Sequence, residues 1–376
     1  MPKIRAVEAI PLRHSVAGPA YGSSRGVVSE RESTLVNVLL ESGVVGLGET
    51  FGPPTVMCRL VEETEAALVG LPVEEALPAL VRFSNASYHR GTGLTTAALS
   101  GVDSAVWDAL ARTAGMSLAG LLGGRARSTV VPYASAGYVV PGDDLSAFRS
   151  RLEEDAAGFP AAKIKIGVGL SADLERIQLA REVLGPGREL MVDVNGNYTV
   201  EEAESLCREL VDVRVVWLEE PLAPEDVSGL RRLRRHGVRL ATGESLFTRH
   251  PFRPLLVRRL VDVIQPDVTK VGGVSEMRAL IEMARAWSVR VSPHVWGGGI
   301  ALATSLQLLA HVPDYPHAAH VTSTPWLEFD RAENGLRDRL LTDPIVMRDG
   351  LVQVPDGPGI GVELDEDYVK HARMDR

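Results

Sequence analysis

A rhythm of polar residues constrains this chain more than any other feature. Lys165, Asp193, Glu219, Glu244, Asp267 and His294 recur at separations of 23 to 28 residues. Each ends a short apolar run: AAKIKIG, ELMVDVN, VVWLEEP, VRLATGE, VDVIQPD and VRVSPHV. Each run is followed by a helical pattern. Parallel strands need a crossover between them, usually a helix, and that spacing fits one β/α unit. Polar groups repeated at strand carboxyl ends are how a (β/α)-barrel enzyme builds its working face. Eight strands are predicted, near 130–135, 161–166, 189–194, 214–218, 238–242, 261–265, 289–293 and 320–324.

The rhythm does not extend over the whole chain. IRAVEAIPL, STLVNVLLES and VVGLGET read as antiparallel strands, with SGVVG turning between the last two. HSVAGPAYGSSRGVVS is rich in Gly and Ser and reads as a loop. Helical segments are expected around 55–69, 73–83 and 95–115, the last with an apolar stripe of Ala98, Val102, Ala105, Val106 and Ala109. Beyond 330, strand and turn signals return. The division is therefore an α+β capping region over 1–125, a β/α catalytic region over 126–328, and a segment over 329–376 that rejoins the cap.

Three of the six residues, Asp193, Glu219 and Glu244, are carboxylates on successive strand ends and can converge. Such a set suits a hard divalent cation, Mg²⁺ first and Mn²⁺ as a substitute. Glu220 is expected to point away from Glu219 if the strand continues. Lys163 and Lys165 share one strand face. Each should disfavour the other's charge, leaving Lys165 as a base and Lys163 as a contact for a substrate carboxylate. His294 is the candidate base on the other side, with Asp267 to hold its tautomer.

Secondary candidates surround these. Asn195 can bond a substrate oxygen, and Lys270 can support Asp267 or the carboxylates. Glu328, just past the eighth strand, can donate to a developing enolate if protonated. Tyr21 and Arg25 are candidate readers of the substrate from the N-terminal loop. Trp296 is either a pocket wall or barrel-end packing. A net charge of −9 argues against nucleic acid as the main partner. Two distant cysteines, Cys58 and Cys207, point to a reducing, cytoplasmic setting. The N-terminus lacks the apolar core of a signal peptide, and no run is long enough to span a membrane.

KIKIG, VDVN, WLEEP, TGES, DVTKVGG and PHVWGGG, in this order, resemble the enolase superfamily. GVDSAVWD, LLGG and the closing PDGPGIGVELDED extend the likeness over nearly the whole chain. It looks like the mandelate-racemase-like subgroup of the mandelate racemase/muconate lactonizing enzyme family, because muconate-lactonizing relatives carry Lys where this chain has Asp267. The resemblance implies a modified (β/α)₇β barrel closed by an α+β cap. It implies Mg²⁺ on Asp193, Glu219 and Glu244, bases Lys165 and His294 on opposite substrate faces, Asp267 orienting His294, and Glu328 assisting as an acid. It also implies a homo-oligomer of even order. PHVWGGG with IALATSLQLLA, and PWLEFDRAENGLR, look most like galactarolactone cycloisomerases and acid-sugar dehydratases. The expected substrate is a small carboxylate: a sugar acid, an aldarate or its lactone. The shared step is removal of the proton α to the carboxylate. Dehydration to a 2-keto-3-deoxy acid is the leading outcome; the alternative is cycloisomerisation, racemisation or epimerisation. Lys270 departs from the pattern expected of the cycloisomerase.

Overall fold

A computed structural model describes residues 1–86, 91–313, 315–318, 321–323 and 325–375. Its centre is a run of parallel strands: β1 (Thr129–Ala136), β2 (Ala161–Lys165), β3 (Glu189–Asp193), β4 (Val215–Glu219), β5 (Leu240–Thr242), β6 (Val263–Ile264), β7 (Arg290–Val291) and β8 (Trp326–Asp330). Successive strands from β1 to β7 are neighbours, and β8 pairs in parallel with β1. Seven longer helices lie between them, at 145–155, 170–184, 200–213, 227–233, 252–257, 273–286 and 299–311. This is an α/β architecture. Tyr133, Ala161, Met191, Trp217, Ala241 and Val263, from six successive strands, form one buried cluster. These side chains make one face of six successive strands a common buried layer.

Among the described residues no backbone ladder joins β7 to β8. Side chains bridge that seam: Ser292 Oγ donates to Trp326 O at 3.0 Å, and Val295 N donates to Glu328 Oε2 at 3.0 Å. The eighth strand is therefore WLEFD, not 320–324. Residues 321–323 pair antiparallel with Tyr315–Ala318 instead, and 320 and 324 lie outside the described residues.

The N-terminal region is a three-stranded antiparallel sheet, Ile4–Ser15, Glu30–Leu40 and Val45–Thr50. The helix Gly93–Thr113 lies on it, and its expected stripe is buried at Ala98, Val102, Ala105, Val106 and Ala109. Glycines set how close that helix can come. A Cβ on Gly46 would lie 2.1 Å from Ala105 O, and one on Gly48 2.0 Å from Gly101 O. The segment read as a loop contains a hairpin, Tyr21–Ser23 against Gly26–Val28, with Ser24 and Arg25 at the turn.

Buried carboxylates lock this region onto the β/α units. Glu49 accepts from Gly298 N at 2.6 Å and Ala301 N at 2.8 Å, capping the helix after β7. Asp108 accepts from Leu47 N at 2.8 Å and Ile360 N at 2.6 Å, tying in the C-terminal segment. That segment also adds Leu351–Gln353 antiparallel to β1, and Met374 N reaches Pro11 O at 2.9 Å. No helix among the described residues is long and apolar enough to cross a membrane.

Candidate active site

Strand register brings the polar residues together. Lys165 is directly opposite Asp193 in the β2–β3 ladder, and Asp193 is opposite Glu219 in the β3–β4 ladder. Asp193, Glu219 and Glu244 are buried and offer oxygens within 4.8 Å of one another. Asn195 Oδ1 is buried with no hydrogen-bond donor, and Glu244 Oε2 is buried and makes no hydrogen bond, with His294 Nε2 3.3 Å away. Three carboxylates this close repel one another, and orphaned oxygens are costly out of water. A divalent cation satisfies both demands, so the residues fit one.

Beneath them a buried network ties the strands together. Lys163 Nζ donates to Glu219 and lies 2.8 Å from Glu328 Oε1 and 3.6 Å from Asp193 Oδ2. Glu219 Oε2 also accepts from Trp217 Nε1 at 2.9 Å and Gln265 Nε2 at 2.6 Å. Trp217 and Gln265 were not anticipated from the sequence. Both stand two residues before a polar strand end, as Lys163 does before Lys165, so strand parity was the available signal.

The lysine pair behaves differently from the sequence expectation. Burial opposes the charge on Lys165, but Asp193, 2.5 Å from Nζ, together with Glu244 and Glu219, outweighs both burial and Lys163, and the ammonium is favoured. Asp193 contributes more than Lys163 does, because it is in direct contact with the ammonium. Lys163 is likewise held charged, burial being outweighed by Glu219, Glu328, Tyr133 and Asp193.

Glu328 departs in the opposite direction. It lies inside β8, not past it, and its carboxyl is pulled down to about 2 because Lys163, His294 and Lys165 outweigh burial. Its carboxylate anchors Lys163, whose Nζ is 2.8 Å from Oε1. Burial raises Glu219 to about 7 against the pull of Lys163.

On the far side His294 Nδ1 is 2.7 Å from Asp267 Oδ2, and Nε2 is 3.3 Å from Glu244 Oε2. Burial opposes its charge, yet Glu244, Glu328 and Asp267 prevail and raise the imidazole. Asp267 Oδ1 is occupied by Thr269 N at 2.8 Å and Thr269 Oγ1 at 2.6 Å. Its pKa is about 2, burial being outweighed by Lys270 and the bond to His294. Lys270 Nζ is 3.7 Å from Asp267 Oδ2 and sits 4.3 Å from the Phe51 ring centroid.

Lys165, Glu244 and His294 face one cavity of about 520 Å³, with Asn195, Lys270, Trp296 and Arg25 also in its wall. Trp296 is thus a pocket wall. Its Nε1 donates to Tyr138 OH at 3.2 Å, and the phenol donates to Asp330 Oδ1 at 2.7 Å. Val27, Phe51, Leu94 and Phe247 supply an apolar side to the cavity. Tyr21 is not in the wall: its ring packs 5.2 Å from Tyr138 and its hydroxyl donates to Glu333 O at 2.7 Å. Arg25 is committed to protein groups, donating to Asn195 O at 2.7 Å, Ser245 Oγ at 3.1 Å and Glu220 Oε2 at 2.6 Å. Glu220 does not point away as expected. β4 stops at Glu219, and Glu220 takes a left-handed backbone, φ 35°, that turns its carboxylate toward Arg25.

Comparison with known proteins follows the same outline. Residues 147–368 match the family described as enolase C-terminal domain-like, and 8–123 match the mandelate racemase / muconate lactonizing enzyme N-terminal domain. A D-galactarolactone cycloisomerase of Agrobacterium fabrum is 35% identical over 376 residues, covering 99% of each chain. An arabinonate dehydratase of Saccharolobus solfataricus is 34% identical over 278 residues, covering 72% of this chain and 71% of its own. The crystal structure of a racemase from Streptomyces coelicolor with bound magnesium has a TM-score of 0.87 and 26% identity, covering 99% of this chain and 100% of its own. The chain belongs to the mandelate racemase / muconate lactonizing enzyme family of the enolase superfamily, and is an enzyme of the lyase or isomerase type.

Proposed function

We propose that the chain is a Mg²⁺-dependent enzyme that removes the proton α to a carboxylate and dehydrates a sugar acid to a 2-keto-3-deoxy acid. The observation that carries this reading is one cavity walled by Lys165 and, across Glu244, by His294, whose imidazole is paired with Asp267. The eight strands would close as a modified (β/α)₇β barrel, spanning 126–328, under a cap of 1–125 and 329–376. Asp193, Glu219 and Glu244 would hold Mg²⁺, or Mn²⁺ in its place, as a relative's structure with bound magnesium supports. Bound there, the ion would supply fixed positive charge facing a substrate carboxylate and would offset the carboxylates that now favour the Lys165 ammonium.

The remaining steps belong to side chains. Lys165 Nζ, neutral once that field is offset, takes the α-proton, and the C–H electrons move into the carboxylate to give an enediolate. Lys163 contributes preorganised positive charge and is kept in place by Glu219 and Glu328. Collapse of the enediolate expels the β-hydroxyl, which leaves as water with the proton from His294. The resulting enol ketonises. Asp267 keeps the imidazole oriented throughout.

A second reading keeps the first step and changes the leaving group. If the ring ester oxygen of a lactone leaves instead of a hydroxyl, the outcome is cycloisomerisation. The full-length likeness to the A. fabrum cycloisomerase favours it. A screen of sugar acids, aldarates and lactones with Mg²⁺, read by product mass, separates the two. Loss of one water supports dehydration, and a product of unchanged mass overturns it in favour of isomerisation.

A further inference from the structure

Arg25 is the most connected residue of the hairpin, and its partners follow a pattern. Asn195 comes two residues after Asp193, Glu220 one after Glu219, and Ser245 one after Glu244. One guanidinium therefore bonds the chain just beyond all three carboxylates proposed to hold the metal. It also lies 3.8 Å from Glu244 itself. Glu220 is about 1% exposed, and its second oxygen, Oε1, has no hydrogen-bond donor. A buried carboxylate with a single cationic partner depends on that partner. A non-glycine residue held at positive φ beside a functional centre marks a backbone fixed by its surroundings.

The neighbouring residues make room for this contact. A Cβ on Gly196, which has φ 74°, would lie 3.2 Å from Arg25 Nη2 and crowd the guanidinium. Ser24, the other turn residue, donates to Val194 O at 2.7 Å. The base of the hairpin is fixed separately, by the reciprocal backbone bonds of Gly22 and Val139, both 2.9 Å. Between base and tip, Gly22, Ser23, Gly26, Val27 and Val28 line the cavity. The hairpin is thus a roof held by backbone hydrogen bonds at one end and by side chains at the other.

We propose that Arg25 is a positioning residue which, through Glu220, Asn195 and Ser245, couples occupancy of the metal site to closure of the Tyr21–Val28 hairpin over the cavity. The proposal rests on the reading of Asp193, Glu219 and Glu244 as metal ligands. An ion that draws the ends of β3, β4 and β5 into fixed positions also fixes the three acceptors of the guanidinium. By linkage, a closed hairpin in turn favours the ion. A lysine cannot replace the fork, because one ammonium cannot span three acceptors in these directions.

Amide hydrogen exchange of the full-length protein, with and without Mg²⁺, tests this without any substrate. In the unsubstituted protein Mg²⁺ should slow exchange across Tyr21–Val28 by about tenfold. In Arg25→Ala and in the gentler Arg25→Lys, that slowing should be lost while the rest of the molecule keeps its protection. Calorimetry should show Mg²⁺ binding about fivefold more weakly in both variants. Glu220→Gln should give the same loss, and adding it to Arg25→Ala should add nothing further. Mg²⁺ binding with hairpin protection that rises equally in Arg25→Ala overturns the coupling alone. Failure of the unsubstituted protein to bind Mg²⁺ overturns the coupling together with the functional reading.

Discussion

The floor of the cavity and its roof are built by different means. On the floor, Lys165, Asp193 and Glu219 stand side by side because a parallel ladder puts them there, residue opposite residue. Their positions follow from backbone hydrogen bonds, and their charges are set by one another. The roof has no such ladder to the strands beneath it. Its tip is held by Ser24 and Arg25, and its far edge by Phe51, whose amide reaches Thr269 O at 3.4 Å and whose ring lies against Lys270. A site built this way can keep its chemistry while its substrate changes, because substitutions in the roof leave the ladder untouched.

If the floor does the chemistry, the largest effects belong there. Lys165→Ala and His294→Ala should each lower kcat by about 10²–10⁴ on a substrate whose α-proton or leaving group faces that residue. Steady-state kinetics checks this, and wild-type turnover in either variant breaks the comparison at its base. Next is the ion. Mg²⁺ at about a hundred times its Kd should add about 2.7 kcal/mol to unfolding stability, reversed by a chelator and absent in Asp193→Asn. Denaturant unfolding with and without Mg²⁺ measures it.

A smaller effect comes from Asp267→Asn, expected to lower kcat about 10- to 100-fold. Asp267 is one of the groups that raise the His294 pKa, so removing its charge moves that pKa down. His294 as general acid is active in its protonated form, so the high-pH fall in kcat should begin at lower pH than in the unsubstituted enzyme. A limb that moves upward contradicts the Asp267–His294 assignment. The smallest effect is in the roof. Phe51→Ala should raise KM about two- to fivefold with kcat unchanged, reflecting a cation–π contact of about 0.5–1 kcal/mol with Lys270. A drop in kcat as large as that of Asp267→Asn would erase the distinction between the regions.

The same contrast explains what could be read from the chain. The floor was legible because each functional residue ends an apolar run, and strand parity then assigns its face. Lys163 and Lys165 were placed together for that reason, but their charge state was not readable. It depends on Asp193 reaching Lys165 and Glu219 reaching Lys163, contacts between residues 28 and 56 positions apart. WLEFD went unrecognised as β8 because HVTST, just before it, carries the stronger β-branched signal. The turn at Glu220 was hidden because nothing in WLEEP marks where the strand stops. In the roof, the Gly- and Ser-rich segment hides a hairpin whose Ser24–Arg25 turn lacks the usual Asn-Gly signature. Its side-chain partners lie about 170 to 220 residues away, a distance no local pattern encodes.

The most direct measurement of the central claim is α-hydrogen exchange in deuterated water with a panel of sugar acids and lactones. It should be run with and without Mg²⁺ on the unsubstituted enzyme and on Lys165→Ala and His294→Ala. The account predicts Mg²⁺-dependent deuterium uptake or turnover in at least one acid, lost when Lys165 is removed for the substrate whose α-proton faces it. Uptake that persists in both variants, or that proceeds equally without Mg²⁺, would contradict it.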